Sequence, residues 1–215
     1  IREPLYFYGI NTHHSMPRFF KSRTRTKGFA PGSPIFIGKK KMDQCEISCI
    51  DYTKHSLNET IIEDTGQLNA YRSTSSISWI NINGLHNERL IQETGHQFDI
   101  QPLLLEDILN TDQRPRFYEG EQNLGFILKI IQYDPKKPQI HSDQISIVLG
   151  NSYILSFQEQ KALYFEPVRE RIRNSKGRIR AAGTDYLVYA LLDTIIDDYL
   201  GVIASIGDEI ENLGR

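Results

Sequence analysis

Short runs of alternating apolar and polar residues along the chain predict β-strands. The turn signals between the later runs, including Gly150-Asn151-Ser152 and the stretch 134–138, favour antiparallel hairpins. The predicted strands lie at 34–37, 45–52, 77–82, 116–118, 124–133, 141–149 and 153–158.

Apolar residues at helical spacing predict helices at 85–98, from Gln101 onward, from Lys161 onward and over Thr184 to Leu213. In the last of these, Thr184 is a candidate N-cap and Asp185 suits the positive end of the helix. At 1.5 Å per residue it would measure roughly 45 Å, longer than the domain on which it packs. We therefore expect it to continue away as a stalk or coil. The element order indicates an α/β or α+β fold with a mixed sheet.

An acidic pair, Glu106-Asp107, interrupts the apolar stripe of the helix that begins near Gln101. Carboxylates beside a core-facing stripe allow two interpretations: a solvated rim, or half of a cation site or subunit contact. Because Mg²⁺ keeps most of its water, one or two carboxylates suffice to bind it. The candidate cation ligands are Glu106, Asp107, Asp193 and Asp197.

The composition is that of an ordinary globular protein, with 25 basic and 27 acidic residues and a formal net charge of -2. Such a balance gives no indication of a nucleic-acid partner. The basic residues do concentrate between Arg18 and Lys41, a stretch without Asp or Glu. Since Ser, Thr, Gly and Pro interrupt it, we interpret 1–32 as an irregular, solvated arm, with contact to anionic lipid or nucleic acid as the alternative.

Motifs that would indicate an enzyme are missing: the sequence has no phosphate-binding glycine loop, no HExxH, no CxxC and no GxSxG. Cys45 and Cys49 have no accompanying histidine pair, so a zinc site is not predicted, and their small number fits a reducing compartment. No apolar run reaches the roughly 20 residues that cross a bilayer. We nevertheless expect the chain to be part of a longer protein, because it ends within a helical pattern.

Five blocks of sequence, taken together, resemble the cytoplasmic N-terminal domain of the CorA-type magnesium transporter family. The resemblance covers about 33–215 and departs from the family pattern at Gln101, where the family usually has His. The blocks are WININGLHN at 79–87, HQFDIQPLLLEDILNTDQRPRF at 96–117, DQISIVLGNSYILSFQE at 143–159, FEPVRERIRNSKGRIR at 165–180 and TDYLVYALLDTIIDDYL at 184–200.

This resemblance implies a mixed sheet between helix layers over 33–182, followed at 183–215 by the start of a stalk leading to transmembrane helices outside the chain. It implies a homopentamer at the cytoplasmic face of the membrane, in which Mg²⁺ between neighbouring copies closes the pore. Asp107 stands at the family's main bridging carboxylate, with Glu106 and Asp193 at secondary ligands. The main partner carboxylate and the Gly-Met-Asn pore signature would lie beyond Arg215.

The transported ion would be Mg²⁺, with Co²⁺ or Ni²⁺ as further candidates, and the domain itself would be soluble and not an enzyme. Two alternatives stay open at this point. The chain could belong to a zinc-transporting relative of the same fold, or it could be a soluble scaffold module whose last helix oligomerises as a coiled coil.

Overall fold

The computed structural model describes residues 34–134 and 139–214. The predicted arm at 1–32 and most of the predicted turn at 134–138 lie outside the described residues. The described residues form a seven-stranded sheet in the order β2-β1-β3-β7-β6-β5-β4. Its strands are β1 Glu46–Tyr52, β2 Leu57–Ile62, β3 Ile77–Asn83, β4 Arg116–Glu119, β5 Leu124–Asp134, β6 Gln139–Leu149 and β7 Tyr153–Gln158.

The sheet is mixed, as the sequence predicted. β3 and β7 run parallel at its centre, whereas every other neighbouring pair is antiparallel. The four strands from β4 to β7 follow one another through consecutive hairpin pairings, which confirms the predicted antiparallel group.

Helices cover both faces of the sheet, so the expected sandwich is confirmed. A 3₁₀ helix (Thr65–Tyr71), α1 (Glu88–Gln97) and α2 (Pro102–Leu109) contribute to the core on one face. On the other face, α3 (Glu166–Arg173) and α4 (Thr184–Leu213) contribute to a second core. Strand alternation explains the two cores, because Trp79 of β3 belongs to the second and its neighbour Ile80 to the first.

Two glycines allow α2 to pack closely against its surroundings. A Cβ at Gly95 of α1 would lie 2.4 Å from Leu105, and a Cβ at Gly125 of β5 would lie 2.4 Å from Leu104. Both leucines belong to α2 and are buried. The position of α2, and therefore of Glu106 and Asp107, depends on this close approach.

The last helix has the bounds that the pattern predicted, but its cap differs. Gly183 occupies the N-cap position, and the hydroxyl of Thr184 instead donates to the carbonyl oxygen of Gly150 at 3.0 Å. The hydroxyl of Tyr199 donates to the carbonyl oxygen of Lys129 on β5. From Ile196 to the end of the helix, five large apolar side chains are exposed, namely Ile196, Leu200, Ile203, Ile210 and Leu213.

Several boundaries differ from the sequence-based expectation. The predicted strand at 34–37 is a single bridge between Ile37 and Asn110. The pattern did not predict β2, because three polar residues at 58–60 interrupt its apolar positions. The 3₁₀ helix was not predicted, and α1 and α3 begin later than expected.

No helix in the described parts of the chain has both the length and the apolar character needed to cross a bilayer.

Candidate cation site

Asp107 lies on α2 with only 3% of its surface exposed. Its carboxylate accepts hydrogen bonds from the side-chain amide of Gln113 and the hydroxyl of Tyr118. Arg116 completes the set with an ion pair of 3.0 Å between its guanidinium and the second carboxylate oxygen. The solvated-rim interpretation is therefore wrong for Asp107.

These three donors reach Asp107 because the chain reverses direction after α2. The helix ends at Leu109, and the Oδ1 of Asn110 accepts a hydrogen bond from the backbone of Asp112 at 3.2 Å. β4 then begins at Arg116, and its alternation places Arg116 and Tyr118 on one side of the strand. A short turn thus brings residues six to eleven positions downstream back to the carboxylate.

The C-terminal end of α2 is held by polar side chains from the sheet. The Nε2 of Gln144 donates to the carbonyl oxygens of Asp107 and Ile108, each at 3.0 Å. The Nζ of Lys129 donates to the carbonyl oxygen of Thr111 at 2.5 Å. These bonds satisfy carbonyls that a helix end leaves without intrahelical partners, and they fix the backbone beneath Asp107.

Two of the residues that contact Asp107 have shifted pKa values. Burial raises the pKa of Tyr118, and the hydrogen bond to Asp107 raises it further. The pKa of Arg116 is raised by its bond to Tyr118 and by the negative charge of Asp107. Since the Arg116 side chain is 47% exposed, water screens part of the ion pair.

The other three candidate ligands lie in different surroundings. Glu106 precedes Asp107 on α2 and is half-buried, Asp193 is half-buried on α4, and Asp197, one turn further along α4, is exposed. Within 34–134 and 139–214, no three or more His, Cys, Asp or Glu side chains are grouped so that they could hold a metal ion.

A second buried charge cluster was not predicted. The Nζ of Lys41 forms ion pairs with Asp143 and with Glu159, the latter at 2.7 Å. Gln160 and Tyr164 also donate to Asp143. Burial raises the pKa of Asp143, but the hydrogen bonds from its three donors outweigh burial and hold that pKa below its ordinary value. Asp143, an acidic residue inside the predicted strand 141–149, was the sequence feature that could have indicated this cluster. Its partners could not be predicted, because they lie far away in sequence.

Comparison with known proteins identifies the family of the chain. Residues 74–215 match the family described as CorA-like Mg²⁺ transporter protein. Over 193 residues, the chain is 38% identical to the cobalt/magnesium transport protein CorA of Thermotoga maritima. The chain belongs to the CorA family. The matched region covers 90% of this CorA-family chain and 55% of the Thermotoga protein, so the chain spans about half the length of that relative.

Solved structures agree with the CorA fold. The full-length CmaX protein superposes with a TM-score of 0.63 at 13% identity, covering 81% of this chain and 52% of CmaX. The soluble domain of CorA from Methanocaldococcus jannaschii gives a TM-score of 0.55 at 21% identity, covering 77% and 62% respectively. The resemblance inferred from the sequence blocks is confirmed for family and fold.

Proposed function

We propose that this chain is the cytoplasmic regulatory domain of a CorA-type transporter of Mg²⁺ and Co²⁺. In this proposal it binds Mg²⁺ between neighbouring copies of itself and thereby holds a pore closed. The observation that carries the proposal is the form of α4. Its N-terminal part contributes to the core, whereas five large apolar side chains are exposed between Ile196 and its C-terminal end. A helix with such an uncovered apolar stripe is suited to packing against copies of itself in a homopentamer.

The surroundings of Asp107 favour an indirect mode of cation binding. An ionised carboxylate offers about four lone-pair sites, and three donors of the same chain already use the carboxylate of Asp107. Mg²⁺ prefers to keep several of its waters. We therefore infer that a hydrated Mg²⁺ bridges Asp107 to a carboxylate of the neighbouring copy, with water occupying the remaining acceptor position.

Glu106 and Asp193 would be secondary ligands in this arrangement. Carboxylates from two copies repel one another across an interface, and a divalent cation between them removes the repulsion. Each site would be weak, but differential binding energies add across the subunits of a ring. Mg²⁺ at several interfaces would therefore favour the closed state when the ion is abundant inside the cell.

The proposed cargo follows from the names of the relatives. The matching family is described as a Mg²⁺ transporter, and the Thermotoga protein as a cobalt/magnesium transport protein. Residues outside this chain would form the membrane-spanning pore. The domain would thus act on the inner side of the membrane without catalysing a reaction.

The test is Mg²⁺ flux through the transporter that carries this domain, reconstituted in vesicles with Mg²⁺ varied on the domain side. We expect Asp193→Asn to raise the Mg²⁺ concentration that halves the flux. The matched control is Asp208→Asn, which makes the same charge change near the C-terminal end of α4, where the side chain is exposed. Equal closing concentrations for the two variants and the parent protein would contradict a regulatory role for Asp193.

Asp107→Asn should produce a larger shift than Asp193→Asn. Sedimentation of the 215-residue chain with and without Mg²⁺ provides an independent measurement, since the proposal expects Mg²⁺ to promote association and Asp107→Asn to weaken that effect. If Mg²⁺ left both flux and association unchanged, the proposal would fail.

A further inference from the structure

A cavity of about 320 Å³ lies between α3 and the face of the sheet formed by β1, β2 and β3. Ser48, Asn81 and Asn83 line it from the sheet, and Arg169 and Arg173 line it from α3. Its volume is at the lower end of the range for small-molecule sites, which runs from roughly 300 to 1,000 Å³. The cavity is separate from Asp107 and shares none of its hydrogen-bond donors.

The floor of the cavity is a chain of polar side chains on a sheet face where apolar residues would ordinarily pack. The indole nitrogen of Trp79 donates to the Oγ of Ser156 at 2.9 Å, and that hydroxyl donates to the Oδ1 of Asn81 at 2.6 Å. The Nε2 of Gln158 donates to the same oxygen at 2.6 Å. The Nδ2 of Asn81 then donates to the Oδ1 of Asn83 at 3.0 Å.

This chain of hydrogen bonds ends on an unused donor. The Oδ1 of Asn83 is occupied by Asn81, whereas the Nδ2 of Asn83 donates to no side chain or carbonyl within the described residues. Asn83 is 96% buried, with 4% of its surface exposed, and it lines the cavity. Because Asn83 lines the cavity, an acceptor bound there can take up this free amide donor.

Arg169 supplies further unused donors. Its guanidinium lies 4.6 Å from the centre of the Trp79 ring, and it makes no hydrogen bond or ion pair with a described residue. Burial lowers its pKa. A guanidinium carries five N–H donors in a planar fork, and here that fork is stacked on an aromatic face beside a cavity.

The neighbouring carboxylates are engaged by other cations. Arg173 pairs with Glu59 at 2.6 Å and also with Glu166, and Lys161 pairs with Glu46 at 2.8 Å. All five of these charged residues, together with Arg169, surround the cavity. Of its basic residues, Arg169 alone forms no ion pair with a described residue, although the charges of Glu166 and Glu59 act on it from a greater distance.

We propose that this cavity binds a small carboxylate, whose oxygens accept from the guanidinium of Arg169 and from the Nδ2 of Asn83. The planar fork of an arginine matches a carboxylate with two parallel hydrogen bonds. The three glutamates around the cavity balance its three basic residues, and their repulsion of a doubly charged phosphate is about twice their repulsion of a single negative charge. The ligand is therefore a monoanion, and this site does not depend on the proposed transport function.

The chain contains a built-in reporter for the test. Trp79 is its only tryptophan, and the ring is in contact with Arg169. We would titrate the 215-residue chain with sodium acetate, sodium phosphate and sodium chloride at constant ionic strength while recording tryptophan fluorescence. We expect a saturable change in fluorescence with acetate. Half of that change should be reached below roughly 10 mM acetate. Phosphate should bind at least about tenfold more weakly.

Variants localise the signal. Arg169→Lys keeps the positive charge but removes the planar set of guanidinium donors. Acetate should therefore bind about tenfold more weakly, which corresponds to a loss of about 1.4 kcal/mol in binding free energy. Asn83→Ala should weaken binding as well. The control is Arg178→Gln, because Arg178 also places a guanidinium over an aromatic ring, 4.8 Å from the centre of Tyr186, but lies outside the cavity. A thermal melt of each variant establishes that it is folded.

Three outcomes would overturn the proposal. The first is an acetate response that does not saturate or that chloride reproduces. The second is phosphate binding as tightly as acetate. The third is unchanged acetate affinity in folded Arg169→Lys, which would mean that the cavity holds only water. For a variant that does not fold, the amide resonances of Asn83 in a ¹⁵N spectrum of the parent chain decide the matter, since acetate should shift them.

Discussion

The burial of Asp107 makes a sharp prediction about stability that does not depend on Mg²⁺. In Asp107→Asn, one carboxylate oxygen becomes an NH₂ group, which must face a donor. On one side it meets the amide of Gln113, and on the other it meets the guanidinium of Arg116 and the hydroxyl of Tyr118. The tyrosine hydroxyl can rotate to accept, and the amide of Gln113 can turn over at the cost of the hydrogen bond that its oxygen accepts from the backbone of Arg114 at 3.3 Å, but the guanidinium has no acceptor to offer.

The magnitude follows from counting these partners. At least one hydrogen bond to a charged acceptor is lost, which is worth about 1.5 to 3 kcal/mol. The ion pair adds no more than about 1 kcal/mol, because Arg116 is 47% exposed and water screens it. We expect the free energy of unfolding to fall by about 2 to 3 kcal/mol, since the losses overlap at the same atoms.

Urea unfolding of the 215-residue chain, followed by circular dichroism without divalent cations, measures this loss. The control is Asp193→Asn, because Asp193 makes no hydrogen bond or ion pair with a described residue and should cost less than about 0.5 kcal/mol. If the two substitutions changed the free energy of unfolding equally, the donors around Asp107 would not contribute as reasoned. If Asp107→Asn changes the Mg²⁺ dependence of flux, its free energy of unfolding must therefore be measured as well, so that a loss of cation binding can be separated from a loss of stability.

Three further predictions test other parts of the fold. Because the pKa of Asp143 is lowered in the folded state, its stabilisation is present above its unfolded pKa and is lost on acidification. Urea midpoints should then fall more steeply below about pH 4 in the parent chain than in Asp143→Asn, and parallel curves would contradict this. Gly125→Ala places a Cβ 2.4 Å from a buried leucine of α2 and should cost about 1 to 3 kcal/mol in urea unfolding. The matched Gly201→Ala, with open space around it, should be neutral or stabilising. Burial raises the pKa of Cys49 to about 12, so Ellman's reagent at pH 8 should label it only after unfolding, whereas labelling at the rate of Cys45 would refute its burial.

The sequence was sufficient for elements whose periodicity is long and unbroken. α4 was predicted to the correct residues because its apolar spacing continues over eight turns. β5, β6 and β7 were predicted because each is an apolar run bounded by turn residues. β2 was missed because it is an edge strand with few core positions, so its residues carry little pattern.

The candidate site was predictable in its residues but not in its contacts. Glu106 and Asp107 stood out as an acidic pair within an apolar stripe. The burial of Asp107 could not be read from that stripe, because it depends on a turn that brings back Gln113 and Tyr118. The Asn81 and Asn83 floor was also missed, since an alternating strand pattern does not reveal which neighbouring strand supplies Ser156 and Gln158.

The parallel pairing of β3 with β7 at the centre of the seven-stranded sheet has a consequence for how the chain folds. β1 to β3 form one antiparallel group and β4 to β7 another, and each is built from strands close in sequence. The parallel pairing joins them through Ser78 and Tyr153, residues far apart along the chain. Closing so long a loop costs entropy before any contact compensates for it. The two groups should therefore form early as separate units, and their docking along β3 and β7 should be the slow step that completes the sheet.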